Sequence, residues 1–330
     1  MSLLFQPIQA GPLELPSRLV MPPMATAKAG TDGLAGPELY RHYEERTQGG
    51  HVGLAVIEHS YVLPSGKAAD RQLSVADDSV VEPLRALAAV IRKSGARTVM
   101  QISHAGSAAN AEVIGETPVG PSAVQNPRRG DMPRALEKRE IADIVEAFGR
   151  AGGRVKAAGF DGVEIHSAHS YLLNEFLSPY TNRRTDAYGG SLSGRIRLHL
   201  EVIEAVRGTV GRDFPVLLRL GAGDYIEGGT DIDDVRAAAR AFAAAGVCIL
   251  DVTGGLMGYN PPGLTGPGYF APLSEAVKSA VSIPVILTGG VTEPEEAERL
   301  LSDGKADLIG VGRALLQDPD WPAKARERLA

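Results

Sequence analysis

The chain holds a single cysteine, Cys248, inside an apolar run (GVCILDV). It can form no internal disulfide and no cysteine-ligated zinc or iron–sulfur centre, so Cys248 reads as core packing. Long hydrophobic runs are missing as well, and no segment approaches the roughly 20 apolar residues of a membrane span. The opening MSLLFQPIQAGPLELP has no basic stretch followed by an apolar core and a small-residue cleavage site. Nothing there marks the chain for export, and the expected location is the cytoplasm. Basic excess is absent too: a formal net charge of -6 leaves no electrostatic footprint for nucleic acid or an anionic membrane. What is present is 330 residues, 44% hydrophobic and 22% charged, enough to bury a large core. The partner that remains is a small molecule, and the oligomeric state is left open, a homo-oligomer included.

After an N-terminal hairpin turning near Gly11, short β-rich runs alternate with stretches of helical period. The strands are RLVMPPM from Arg18, VGLAVIE from Val52, TVMQIS from Thr98, GVEIH from Gly162, VLLRL from Val216, CILDVT from Cys248, PVILTG from Pro284 and ADLIGVG from Ala306. Helical segments such as PELYRHYEERT, VEPLRALAAVIRKSG and PEEAERLLSDG lie between them. Eight strands alternating with helices predict a (β/α)8 TIM barrel with its active site at the strand C-termini. A doubly wound sheet is the alternative, but no G-x-G-x-x-G turn follows the first strand. Long loops follow strands three, four and six, from His104 to about Glu137, Ser167 to Leu192 and Gly254 to Phe270. They are expected to wall a pocket. No linker divides the chain, so residues 1–330 read as a single domain.

In a barrel, the strand ends bring Met24, Ala25, Glu58, His59, Gln101, His104, His166, His169, Arg219, Thr253, Gly289, Gly312 and Arg313 toward one cavity. None of them is a lysine, which removes Schiff-base aldolase chemistry. His59, His104, His166 and His169 could ligate zinc, yet the carboxylates that a hydrolytic metal site normally adds are missing. The turns LTGG (Leu287 to Gly290) and GVGR (Gly310 to Arg313) read either as tight turns that need glycine or as a phosphate cradle, and barrels commonly bind phosphate there. With Gln101, His166 and Arg219 facing inward, flavin mononucleotide suits the site: Arg219 could stabilise the negative pyrimidine edge of a reduced flavin, and the Gln101 amide can both donate and accept.

Nearly the whole chain, from RLVMPPM through VGLAVIEHSYV, VMQISHAG, DGVEIHSAHSYLLNEFLSPYTNRRTDAYGGS, LLRLGAGDY and ILTGGV to ADLIGVGRALLQDPDWP, resembles the Old Yellow Enzyme family of FMN-dependent NAD(P)H:flavin oxidoreductases. The similarity is closest to its compact bacterial members. The resemblance implies that Met24, Ala25 and the backbone near His59 line the flavin, that Gln101 and Arg219 contact its pyrimidine end, and that Gly289, Gly290, Gly312 and Arg313 hold its phosphate. It implies that His166 and His169 hydrogen-bond the carbonyl or nitro oxygen of an electrophilic alkene, and that Tyr171 is the proton donor. NADH or NADPH would reduce the flavin and leave before the alkene enters.

NRRTDAYGG reads as structural, with Arg183, Arg184 and Asp186 pairing to brace the loop. The chain also departs from the pattern. Many compact relatives carry a redox-tuning cysteine and a nearby tyrosine after the first strand, where this chain reads PPMATAK with Ala25 and Ala27. Amine oxidation or demethylation by a member of the same family therefore stays an alternative, as does, from another class, the metal-dependent hydrolase. Larger relatives with an iron–sulfur cluster need a cysteine cluster and further residues, and the expectation here is the barrel alone.

Overall fold

The computed structural model describes residues 2–129 and 131–330. Eight parallel strands close into a barrel: β1 (Leu19–Met21), β2 (Leu54–Tyr61), β3 (Arg97–Ser103), β4 (Gly162–Ser167), β5 (Val216–Gly221), β6 (Ile249–Thr253), β7 (Val285–Thr288) and β8 (Leu308–Gly310). Each pairs with the next in sequence, and β8 returns to β1. The sequence expectation of a (β/α)8 barrel holds, with all eight strands where they were read.

The two-residue alternation of strands decides what lies inside. Val20, Val56, Val99, Leu217, Ile249 and Ile286 pack together in the barrel interior, while their neighbours, such as Met21, Ile57 and Met100, pack against the surrounding helices. The antiparallel hairpin of Ile8–Ala10 with Leu13–Leu15 plugs the lower end by adding Ala10, Leu13 and Leu15 to that interior cluster. Burying each such leucine stabilises the closure by roughly 1.5–3 kcal/mol. Its turn sits directly on the buried Cys248: a Cβ on Gly11, where φ is +59°, would come within 2.9 Å of the Cys248 Cβ. With this end plugged, the cavity opens at the other.

The helices begin where the chain supplies start signals. Pro37 opens Pro37–Thr47. Asp231 caps Ile232–Ala244 by accepting the Asp234 N–H at 2.7 Å. The 20-residue helix Lys138–Ala157 starts with a reciprocal capping box between Glu137 and Glu140. Among the described residues, no helix is long and apolar enough to cross a membrane.

The three long connections all stand at the open end, and two of them contain order the sequence did not disclose. Within the β3 connection Val119–Gly120 pairs with Arg134–Ala135, and within the β4 connection a buried helix spans Leu172–Leu177. LLNEFL is buried on every side, Asn174 and Glu175 included, so it has no apolar-polar period to betray a helix. The expected brace is present in part. Arg184 grips Asp186 at 2.7 Å and donates to the Pro121 and Leu136 carbonyls at 3.0 and 2.7 Å, which ties the β4 connection to the β3 connection. Arg183 is not in that pair: its Nε donates to the Tyr180 carbonyl at 3.1 Å.

Candidate active site

A cavity of about 510 Å³ occupies the open end of the barrel. One wall begins with an irregularity in β2. Ile57 stands level with Met100 and Ser60 with Ile102, so two residues, Glu58 and His59, oppose the single Gln101. Such a bulge breaks the alternation and re-aims a side chain. His59 points into the cavity. Glu58, expected to face the same space, is instead held against Thr26, whose Oγ1 donates to it at 2.6 Å, and against Tyr43, whose Oη accepts the Glu58 N–H at 2.9 Å. Burial raises the Glu58 carboxyl to about 7 in spite of these hydrogen bonds.

His104 is the other strand-end residue that turns away. Its Nδ1 accepts the Gly106 N–H at 3.0 Å and its Nε2 lies 3.3 Å from Ser65 Oγ, outside the residues that line the cavity. Among the described residues no three histidine, cysteine or carboxylate side chains are arranged to hold a metal ion.

β4 supplies His166, level with Arg219 on β5. The chain then makes a tight turn in which His169 and Ser170 both take left-handed conformations, with φ of +61° and +62°. Non-glycine residues pay of order 1–2 kcal/mol each for this conformation, and it persists only where other contacts fix it. Here the Ser170 N–H donates to Asn174 Oδ1 at 3.0 Å and Ser170 Oγ donates to the Leu256 carbonyl. The result is compact. The ring centres of His166 and His169 are 5.2 Å apart, those of His166 and Tyr171 4.8 Å, and His169 Nε2 lies 3.1 Å from Thr253 Oγ1.

His59 has a defined tautomer. Gln72 accepts the Ala68 N–H on Oε1 and donates from Nε2 both to the His59 carbonyl, at 3.1 Å, and to His59 Nδ1, at 2.7 Å. That nitrogen is the acceptor, so the hydrogen sits on Nε2, which lies 3.5 Å from Tyr171 Oη. With His59 aimed at its oxygen, Tyr171 keeps its own O–H free for the cavity. Burial pushes the phenol up to about 12, against the pull of Arg129 and Arg128, so it is protonated at neutral pH. Burial, with Arg219 nearby, lowers His59 to about 4. His166 and His169 are likewise held well below the usual imidazole range, chiefly by burial, and all three rings are neutral.

The facing wall comes from β7 and β8 and their following turns, and it is largely backbone, with the side chains of Thr288 and Val291 beside it. Gly289, Gly290, Gly310 and Gly312 line it with Arg313, and Met24 and Ala25 adjoin from the β1 end. Gly290 has φ +72°, and a Cβ there would meet the Gly266 carbonyl at 2.1 Å and the Tyr269 ring at 2.6 Å. Arg313 Nη2 lies 3.4 Å from Tyr269 Oη, which in turn donates to the Tyr259 carbonyl at 2.7 Å. Bare backbone beside a guanidinium is the donor set that takes a phosphate.

Arg219 lies at the bottom of the cavity and forms a buried layer with groups beneath it. Its Nε stands 3.3 Å from Asp251 Oδ2, an ion pair by distance without hydrogen-bond alignment. Gln101, expected to line the cavity, lies in this layer and gives its amide N–H to Glu164 Oε2 at 2.6 Å. Burial and the neighbouring Asp251 raise the Glu164 carboxyl, and burial raises that of Asp251, which the Arg219 charge opposes. Asp251 is the carboxylate in contact with the cation, and Glu164, raised to about 8, is the one that keeps its proton at neutral pH.

Sequence reasoning left out Asn126, Arg128 and Arg129, which reach the cavity from the β3 connection, and did not assign Tyr259 and Tyr269, which reach it from the β6 connection. The Asn-Pro-Arg step in QNPRRG signals a turn but not its direction.

Known proteins show the same organisation. A family model described as NADH:flavin oxidoreductase / NADH oxidase family matches residues 3–330. The chain is 40% identical over 330 residues to an NADH oxidase of Thermoanaerobacter brockii, a match that covers 98% of this chain and 50% of that protein. It is 38% identical over 328 residues to an NADPH dehydrogenase of Bacillus licheniformis, covering 99% of this chain and 94% of that one. The chain thus spans about half the length of the first relative and nearly all of the second. Among solved structures, the old yellow enzyme homologue from Zymomonas mobilis is similar with a TM-score of 0.86 at 28% identity, over 98% of this chain and 92% of that one.

Proposed function

The chain belongs to the NADH:flavin oxidoreductase / NADH oxidase family, and from that premise we propose that it is an FMN-dependent oxidoreductase that uses NADH or NADPH to reduce activated alkenes, α,β-unsaturated carbonyl or nitro compounds. The residues present fit FMN. The cradle of Gly289, Gly290 and Gly312 beside Arg313 would hold its phosphate, in space that a side chain would fill. Met24 and Ala25 would line the ring, and Arg219 would face its electron-rich pyrimidine edge. Gln101 has given its N–H to Glu164 and would offer its oxygen. Bound FMN supplies the two-electron chemistry that couples nicotinamide oxidation to alkene reduction.

The observation that carries this reading is the convergence of His166, His169 and Tyr171 on one cavity, all uncharged. Neutral imidazoles donate N–H hydrogen bonds toward a substrate oxygen on which negative charge develops, as an oxyanion hole does. The buried Nδ1 of His166 has no partner among the described residues, so one ring nitrogen still seeks one. Tyr171 holds a proton for the α-carbon, and His59 keeps that proton on the cavity side. The test is a visible spectrum of the purified protein, reconstitution with FMN, and anaerobic titration with NADH and with NADPH, followed by addition of an enone. A colourless protein that cannot take up FMN would sink the proposal. A flavoprotein that turns over no enone or nitro acceptor would reduce it to flavin binding.

A further inference from the structure

The chain carries a net charge of -6, yet among the described residues that line its cavity there is no carboxylate, and four are arginines: Arg128, Arg129, Arg219 and Arg313. Arg313 stands at the glycine cradle and Arg219 is paired with Asp251. Arg128 and Arg129 have no such assignment. Both are exposed, and among the described residues neither side chain has a hydrogen-bond or carboxylate partner.

Their place is nevertheless fixed. Buried Asn126 accepts the Arg128 N–H on Oδ1 at 2.9 Å and donates from Nδ2 to Ser107 Oγ at 2.8 Å. Ser107 is held in turn by Glu175, which accepts its N–H at 3.0 Å. Glu175 belongs to the buried helix that Tyr171 precedes, so the arginine turn is tied to the wall that carries the phenol. The Arg128 guanidinium also lies against Gly258 of the β6 connection, where a Cβ would come within 2.6 Å of it. The charges of this turn are felt inside: Arg128 helps to keep His169 neutral, and both arginines act on Tyr171.

Two permanently charged guanidinium groups at a cavity rim without counter-charge attract anions and can bind carboxylate or phosphate bidentately. We propose that Arg128 and Arg129 form an anion-binding subsite at the cavity rim, which takes the carboxylate or phosphate group of a reactant whose other end lies among His166, His169 and Tyr171. The inference rests on the proposed oxidoreductase reading for the identity of that reactant. Either the alkene substrate bears the anion or the nicotinamide dinucleotide does.

Two arms separate these sources. In the first, calorimetric titration of the oxidised holoenzyme, without reductant, compares cyclohex-2-enones whose short tethers end in carboxylate or in the matching carboxamide. In the second, anaerobic stopped-flow compares NADH and NADPH with 1-benzyl-1,4-dihydronicotinamide, which has no phosphate. At low ionic strength the anionic member of one arm should be favoured about 5- to 20-fold, a preference that added salt erodes. The double variant Arg128→Gln/Arg129→Gln should bring that preference to within about twofold and leave the neutral member unchanged. Arg128→Lys/Arg129→Lys should retain part of it. A fall confined to the first arm assigns the subsite to the alkene, and a fall confined to the second assigns it to the dinucleotide. An anion preference that is absent from the wild type, or unchanged in the glutamine double variant in both arms, overturns the proposal. The titration needs no turnover, so failure of the oxidoreductase reading would appear separately, as wild-type holoenzyme that binds these ligands but reduces none.

Discussion

The wall built by β2, β4 and the turn after β4 presents three imidazoles and a phenol to the cavity, whereas the wall built by β7 and β8 presents chiefly glycines and one arginine, with Thr288, Val291 and Leu316 beside them. The first depends on side chains whose tautomers, rotamers and strained backbone are held by a surrounding shell: Gln72 behind His59, Asn174 behind Ser170, Thr253 behind His169. The second depends on the absence of side chains, so it needs no such shell. A polar wall should therefore fail gradually as its supports are removed, and a backbone wall should fail at once when any side chain is added.

The largest effect expected on the polar wall is that of Tyr171→Phe. Removing a general acid typically costs roughly 100- to 10,000-fold in the step it serves. Stopped-flow should show that loss in the alkene half-reaction, with flavin reduction by NAD(P)H changed less than about threefold, because only the first needs the proton. Equal losses in both halves would break the comparison, since the phenol would then be shaping the cavity and not supplying a proton.

Next in size is Gly290→Ala on the backbone wall. The added Cβ would press on the Gly266 carbonyl and Tyr269 at a positive φ. Overpacking of this kind costs about 1–3 kcal/mol, so FMN affinity measured by fluorescence titration of the apoprotein should fall about 5- to 150-fold. Circular dichroism would show whether the barrel is intact. Unchanged affinity in a folded variant would remove the cradle from the binding site.

A smaller loss is expected when a support of the polar wall is cut. Gln72→Leu frees His59 to change tautomer, and one neutral hydrogen bond is worth about 0.5–1.5 kcal/mol, so alkene reduction should slow about 2- to 10-fold with flavin affinity intact. A loss as deep as that of Tyr171→Phe would mean that His59 itself carries the proton.

The two walls also differ in how far they can be read from the chain. LTGG and GVGR are legible because a backbone cradle tolerates only glycine, and the requirement is written in residue type. HSAHSY is legible because His166, His169 and Tyr171 are clustered. The direction of a side chain is another matter. Whether Glu58 or His59 enters the cavity depends on a two-against-one pairing with β3, which no local pattern in β2 encodes. His104 ends a strand as His166 does, yet it is captured by Gly106 and Ser65. Gln101 falls one layer below the floor because its amide finds Glu164, and only the closed barrel brings those two together. Strands and helices follow from periodicity along the chain, whereas these details follow from partners distant in sequence.

The smallest effect is in stability against pH, where the imidazoles and the carboxylates behind them should act with opposite sign. His59 and His104 are lowered by burial to about 4 and His199 to about 3, from an ordinary value of 6.5. Each contributes stability that is present above 6.5 and lost as pH falls toward 4, because the unfolded chain binds the proton first. Burial raises Glu58 to about 7 and Glu175 to about 8, from 4.5. Each contributes stability that is complete below 4.5 and lost as pH rises through 7 to 8, because here the folded chain binds the proton. Between 4.5 and 6.5 the histidines outnumber the carboxylates and stability should climb with pH. Above 6.5 the histidines no longer titrate, the carboxylates act alone, and the melting temperature should decline by a few degrees toward pH 8. Glu175→Gln keeps the shape of the side chain that holds Ser107 and removes its titration, so it should flatten the decline above 6.5 and leave a climb below it. Thermal denaturation at pH 5, 6.5 and 8 checks both limbs, and a wild-type curve that rises from 6.5 to 8 would show that these buried carboxyls are ionised in the folded protein.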